Sequence, residues 1–358
     1  MSGNIDFANA SVSGTQLLAK GTTISQTVGV SSTSVLNIRA VEDIGGGMKV
    51  TGHYGLDPRT LANDSFAVSN NRGAAGATGA LSNTATGLAR DELFVGIEGG
   101  FGNLRLGAPN SIGLNSFQVS SPLGTGIGSS YTGGGTAGTM TNSYVQTRYS
   151  RAVRWDSPVI NGFQAAVQYA PGNDQASVAA NAVTGGVVTS GTIAAPLIPN
   201  NRKATEYGVR YANGPLTVSY ASVEQAAQTN ATGWYPSGAS AAVKTKVNML
   251  NASYNLGATT LYAGWNDGDA LAATLTKTKG QRLAIKHTVG SMDLIAQQST
   301  QTTTAGKATV TGMRADYNFS KTSAAYVGYE NWDTGTAYDS SLTTGTRKIA
   351  SMGLRKSF

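Results

Sequence analysis

The chain of 358 residues contains no cysteine, which excludes a disulfide framework and thiolate chemistry. It has two histidines, His53 and His287, too few for a histidine-rich metal centre. Charged residues make up 13%, against about 25% in an average soluble domain. Apolar residues make up 40%, and no run approaches the roughly 20 apolar residues of a membrane-crossing helix. The amino end, MSGNIDFANA, has neither a basic stretch nor an apolar core, so it does not read as a secretory leader. If the protein is exported, this is expected to be its mature form. A short fixed repeat, the mark of a soluble β-solenoid, is also missing.

What fills the chain is glycine, 46 residues, with 15 tyrosines and many Thr, Ser and Asn. Tyrosines and β-branched residues recur throughout and net charge per residue is low, so this is not a disordered composition. A weak apolar/polar alternation with polar connections fits a transmembrane β-barrel, whose lipid face and wet lumen alternate residue by residue.

The alternation can be followed along the chain. NGFQAAVQYA puts Phe163, Ala165, Val167 and Tyr169 on one face and Gln164, Ala166 and Gln168 on the other. EYGVRYANGPLTVSYAS reads as a hairpin about Asn213-Gly214-Pro215, because Asn-Gly between alternating runs favours a tight turn. Further turns are expected at Asn255-Leu256-Gly257, Gly290-Ser291 and Ser320-Lys321. In the first half, strands about 33–41 and 48–54 flank EDIGGG, and 93–98 turns at Gly99-Gly100 into 103–107. Residues 148–155 turn at Ser157-Pro158 into 163–169. With one strand inside 3–12 and a last one near 347–358, the count is 16. At the carboxyl end Met352, Leu354 and Phe358 share one parity, and Ser351, Gly353, Arg355 and Ser357 the other. A strand running to the last residue needs a partner. In hydrocarbon an open sheet edge costs several kcal/mol per unpaired group, so the last strand is expected to pair with the first. The fold class is therefore all-β, a 16-stranded antiparallel transmembrane barrel in a single domain, 1–358.

Several stretches carry a resemblance. AVEDIGGGMKV resembles the Glu-Asp-apolar-Gly-Gly-Gly turn of the trimeric porins of β-proteobacteria and neisseriae. ELFVGIEGGFGNLRLGAPN is similar to the strand-turn-strand that leads into their constriction loop. VRWDSPVINGFQAAVQYAPG, YANGPLTVSYA and ASYNLGATTLYAG are similar to later hairpins, in the same order. The resemblance implies a Gram-negative outer-membrane location, a homotrimer, and an inward-folded third loop, here about 108–147. It also implies that the terminal Phe358 is read during membrane insertion. Two departures stand out. The family's Leu-Gly-Arg before that loop is Leu106-Gly107-Ala108 here, with Arg105 available on the lumen parity. The loop commonly carries acids in the family, yet residues 106–147 contain no Asp, Glu, Lys, Arg or His.

Parity places Arg39, Lys49, Arg105, Arg148, Arg154, Arg210, Arg282, Lys286, Arg314 and Arg355 toward the lumen, with Glu98, Glu206 and Asp316 as acids. Arg39, Arg105 and Arg154, then Lys49 and Arg148, with Glu98, are the expected constriction residues. A basic wall attracts anions, because selectivity follows the charge that lines a pore, and the net charge of +7 agrees. The expected function is passive diffusion of small hydrophilic solutes, with anions preferred. The alternative is a channel that prefers an anionic nutrient such as phosphate or a carboxylate. The expected partners are those solutes and outer-membrane lipids, not nucleic acid. No catalytic residue, cofactor or metal site is expected. Asp267 and Asp269 read as a solvated turn before they read as calcium ligands, and His53 as a wall residue. Arg151 shares parity with the lipid-facing Val153 and Trp155; a bulge, an interfacial height or a subunit contact could each accommodate it.

Overall fold

The computed structural model describes residues 1–13, 24–30, 34–56, 91–124, 126–129, 148–149, 151–171, 180–184, 187–193, 203–226, 244–270, 276–303, 306–334 and 345–358. The first strands are β1 (Ser2–Ser13), β2 (Ile24–Val30), β3 (Val35–Gly45) and β4 (Met48–Leu56). β5 (Leu93–Gly99) and β6 (Gly102–Ala108) precede one helix, α1 (Ile112–Val119). Next come β7 (Ala152–Asp156), β8 (Phe163–Ala170), β9 (Ala180–Thr184), β10 (Val187–Ile193), β11 (Ala204–Asn213) and β12 (Leu216–Ala226). The last seven are β13 (Lys244–Asn255), β14 (Thr259–Ala270), β15 (Thr276–Val289), β16 (Met292–Thr303), β17 (Lys307–Ser320), β18 (Ser323–Thr334) and β19 (Gly345–Ser357).

Each strand pairs antiparallel with its neighbour, and β1 closes the ring on β19, from Asn4 opposite Ser357 to Ser13 opposite Lys348. On its other side β1 pairs with β2 (Phe7 with Val30) and then with β3 (Gly3 with Leu36). β2 and β3 thus occupy one position, and the barrel has sixteen. β9 and β10 form a separate hairpin. The ends of the chain are tied together: Gly3 N–H donates to the Phe358 carbonyl (2.8 Å) and Phe358 N–H to the Gly3 carbonyl (3.0 Å). No barrel edge is left to desolvate in lipid.

The two-residue period sorts the faces. Outward Met352, Leu354 and Phe358 are exposed and Ser351 is buried. Tyr207 and Val209 are likewise exposed, and Glu206 between strands is wholly buried. The tight turns fall where glycine relieves left-handed backbone, as at Gly214 (φ 54°) and Gly290 (φ 58°). One turn differs from the sequence expectation. The β7–β8 connection reverses at Asn161-Gly162 (φ 51° and 86°), where Ile160 and Phe163 exchange both backbone hydrogen bonds at 2.9 Å. Asn-Gly suits positive φ at both centres and overrides Ser157-Pro158. Arg151 is a turn residue just before β7, with φ 60°, so it leaves the strand parity that aimed it at lipid. The alternation did not anticipate β2, the β9–β10 hairpin or α1.

Candidate functional site: the lumen and its inner loop

The chain after β6 turns inward. Ser111 caps α1, its Oγ accepting from Leu114 N–H (2.9 Å). Ile112 packs with Ala221, Val223, Val247 and Met249, which are lumen-parity residues of β12 and β13. Those positions would be polar in an open channel; here they are the floor on which α1 lies. Gly208 of β11 has no side chain, and a Cβ there would run into Ile112.

Two wall carboxylates hold this segment by its backbone. Glu206 Oε2 accepts from Ile112 N–H (2.5 Å) and faces Gly113 N–H at 3.4 Å. Further round, Glu330 Oε2 accepts from Gly128 N–H (2.8 Å) and its Oε1 from the Trp332 indole (2.5 Å). Between them Asn251 Nδ2 donates to Ser116 Oγ (2.9 Å) and its Oδ1 accepts from Ser120 Oγ (2.7 Å). Arg282 is sealed beneath, its guanidinium 4.2 Å from the Phe117 ring centre. Gly312 admits the Gly128 carbonyl where a side chain would collide. The described part of the loop therefore lines the wall from β11 to β18; residues 130–147 lie outside the described residues.

Among the described residues, nothing of the loop lies over the opposite arc, β3 to β6. Arg39 reaches Glu98 at 3.7 Å, with side-chain exposures of 57% and 30%. Lys49 is exposed and lies opposite Glu98 in register. Arg105 stands 3.6 Å from Asp156 and 5.3 Å from the Phe94 ring centre. Arg39, Lys49, Glu98 and Arg105 are thus brought together. Arg154 is different. It is buried, held bidentate by Asp156 (2.7 Å at the closest) and bonded through Nη1 to the Asn110 carbonyl (2.7 Å). Arg148 sits at the root of the loop, 2.6 Å from Asp91 and 2.7 Å from Asn110 Oδ1. Both arginines fasten the loop's entry.

Among the remaining basic positions, Arg210 is exposed, Lys286 pairs with Asp293 (2.9 Å), and Arg314 and Arg355 share Asp316 (2.6 and 3.1 Å). The sequence reading undercounted lumen acids: Asp6, Asp43, Asp91, Asp156, Asp293 and Glu330 join Glu98, Glu206 and Asp316. Asp156 was legible, two residues after Arg154 on the same parity. Asp269 serves Lys277 (2.5 Å) and the Lys246 amide (3.1 Å), and among the described residues no acidic or histidine cluster is arranged to hold a metal.

A closed sixteen-position barrel with a loop folded against its inner wall is the architecture of a diffusion pore, and the model of one family, Gram-negative porin, matches residues 1–337. The chain belongs to the Gram-negative porin family. Its place is the outer membrane. A stretch of 99 residues is 34% identical to the major outer membrane protein P.IB of Neisseria gonorrhoeae, covering 27% of this chain and 26% of that protein. The match thus spans about a quarter of that relative. Among solved structures, an anion-selective porin from Comamonas acidovorans superimposes over 100% of this porin and 98% of its own chain, with TM-score 0.70 and 20% identity. The trimer form of in-vitro folded OmpT from Vibrio cholerae covers 100% and 98%, with TM-score 0.65 and 12% identity.

Proposed function

We propose that this porin is a passive, anion-preferring channel for small hydrophilic solutes, with the whole chain acting as one barrel domain. One observation carries the reading: more of the lumen cations than of the lumen acids reach water, although Arg154, Arg282 and Arg314 are buried. Arg39, Lys49 and Arg210 are exposed and Arg105, Lys286 and Arg355 half-buried, whereas Asp6, Asp156, Glu206, Asp316 and Glu330 are buried. Among the lumen acids Asp43 is exposed and Asp91, Glu98 and Asp293 are half-buried. A permeating ion meets the outermost charge first, and low-dielectric walls focus its field. The loop adds no charge of either sign. The constriction then lies between the neutral loop and the arc carrying Arg39, Lys49, Glu98 and Arg105, with Arg148 and Arg154 positioning the loop. The named selectivity of the Comamonas porin supports the same sign.

A homotrimer is part of the proposal. Exposed outward Ile38, Ala40 and Val95 on β3 and β5 offer a flat apolar face to a neighbouring copy, and the Vibrio relative has a trimer form. The test of function is the zero-current potential of refolded protein in a planar bilayer under a KCl gradient. Stepwise conductance with an anion-side potential supports the proposal; a cation-side potential overturns the charge argument. The preference should weaken toward about 1 M salt, where the Debye length falls to about 3 Å.

A further inference from the structure

We infer that the lumen arc from β3 to β6 carries a subsite for aromatic carboxylates, built from Arg39, His53, Phe94 and Arg105. The inference rests on the anion-preferring reading above and adds a solute class to it. Arg39, His53 and Phe94 stand in register on the adjacent strands β3, β4 and β5. The His53 and Phe94 rings are stacked, with centroids 5.1 Å apart and planes 6° from parallel. On the far side Arg105 brings its guanidinium 5.3 Å from the Phe94 centroid. Three planar groups, His53, Phe94 and Arg105, therefore follow one another around the wall, and Arg39 stands in register beyond His53 with its guanidinium 3.7 Å from Glu98.

Two glycines make this row possible. Gly107 is the register partner of Phe94 on β6, so no side chain stands beside the ring there. Gly96 is the register partner of Arg105, and a Cβ there would collide with the Leu104 carbonyl and the Thr51 hydroxyl, both at 2.9 Å, and come to 3.4 Å from the Arg105 stem. Arg105 can thus lie across β5 and reach Phe94. Both rings are half-buried, with their faces turned to one another and the other face of Phe94 turned to the Arg105 guanidinium. Rings stacked along a wall present their edges to the lumen. Aromatic edges carry the positive end of the ring quadrupole and attract the π-face of another ring.

A benzoate-like solute meets all parts of this row at once. Its carboxylate pairs with Arg39 or Arg105, whose planar forks suit carboxylate geometry, while its ring face lies on the edges of His53 and Phe94. Chloride uses only the cations. An aliphatic acid of the same charge and size uses the cations without the edge-to-face contact. The loop itself contributes no acid; the acids beside the row are Glu98, 3.7 Å from Arg39, and Asp156, 3.6 Å from Arg105, and the incoming carboxylate competes with them.

The test compares benzoate with cyclohexanecarboxylate, matched in charge and close in size, as blockers of chloride current through the refolded full-length protein in planar bilayers. Benzoate is expected to half-block at a concentration about twofold to tenfold lower, the range of one aromatic edge-to-face contact. Phe94→Leu combined with His53→Leu should abolish the difference between the two acids, and Phe94→Tyr should retain it. Equal block by the two acids in the unmodified porin overturns the subsite whether or not the double variant refolds, as does a difference that survives in the double variant. The KCl potential separates the two levels of argument. An anion-side potential with equal block removes the subsite alone, whereas a cation-side potential removes the anion preference on which it rests.

Discussion

Replacing Glu206 should loosen the inner loop without opening the barrel. Its carboxylate is fully buried and accepts the Ile112 amide at the first residue of α1 (2.5 Å). The 3.4 Å approach of Gly113 N–H is too long to count for much. A hydrogen bond to a charged group contributes about 1.5–3 kcal/mol, and a negative charge at a helix N-terminus adds about 0.3–1 kcal/mol. Glu206→Ala should therefore cost the docked loop about 2–4 kcal/mol. At 2 kcal/mol the population of an undocked loop rises roughly thirtyfold. Glu206→Gln keeps the shape and one acceptor oxygen; a neutral bond is about half as strong, so the loss should be about half as large.

The loop has other holds, namely Ile112 in its apolar cluster and Gly128 on Glu330. The expected phenotype is accordingly not a wider static pore but more frequent current excursions in single-channel records. Glu224→Gln is the control, because that side chain is half-exposed in a surface pair with Lys246 (3.2 Å), a type worth at most about 1 kcal/mol. Records from Glu206→Ala that match the unmodified porin in conductance and noise would refute the reasoning.

Three further outcomes follow from the lumen geometry. Arg39→Gln combined with Lys49→Gln should move the KCl reversal potential toward the cation side, and further than Arg154→Gln does, since Arg154 is buried. Arg154→Ala should instead lower stability by about 3 kcal/mol, because it strips the bidentate partner from buried Asp156; the urea midpoint of refolded protein checks this. Gly353→Ala should cost about 1–3 kcal/mol by overpacking, as the added methyl meets Tyr326, whose hydroxyl donates to Asp6 across the closing seam. A heat-unfolding shift seen by gel mobility reads that loss, and an unchanged midpoint would mean that Tyr326 has room to move.

The barrel was legible because a closed sheet in lipid obeys one rule at every residue. Leu354 out and Arg355 in can be read from parity, and turns such as Asn213-Gly214 announce themselves. The inner loop was not legible in this way. Nothing in IGLNSFQV announces that it will be a helix lying on Val223 and Met249, because those lumen-parity apolar residues read equally well as small wall side chains. Arg154 and Arg282 were readable as lumen-facing, but whether they meet water depends on the loop above them. The lumen acids were partly missed for a simpler reason: Asp156 looked like a turn residue because Pro158 follows, while β7 in fact ends on it.

If the proposed anion preference holds, the neutrality of the loop and the sign of the pore are linked by these contacts. Lumen parity alone brings acids and bases to the wall in similar number. The loop breaks that balance. Its amides use the carboxylates of Glu206 and Glu330, and its entry is fastened by arginines that use Asp91 and Asp156. A charged loop could not lie on this wall so closely, since each of its charges would need a buried partner. A neutral, glycine-rich loop offers bare N–H groups and close backbone approach, as Gly128 does at Gly312. Four acids are thereby engaged in holding the loop, which in the proposed anion-preferring pore leaves Arg39, Lys49 and Arg105 on the opposite arc to meet the solute. Charge on the loop would undo both effects together: an acid introduced at Ser116, buried against Asn251 and the Ser219 carbonyl, should both undock the loop and weaken the anion preference.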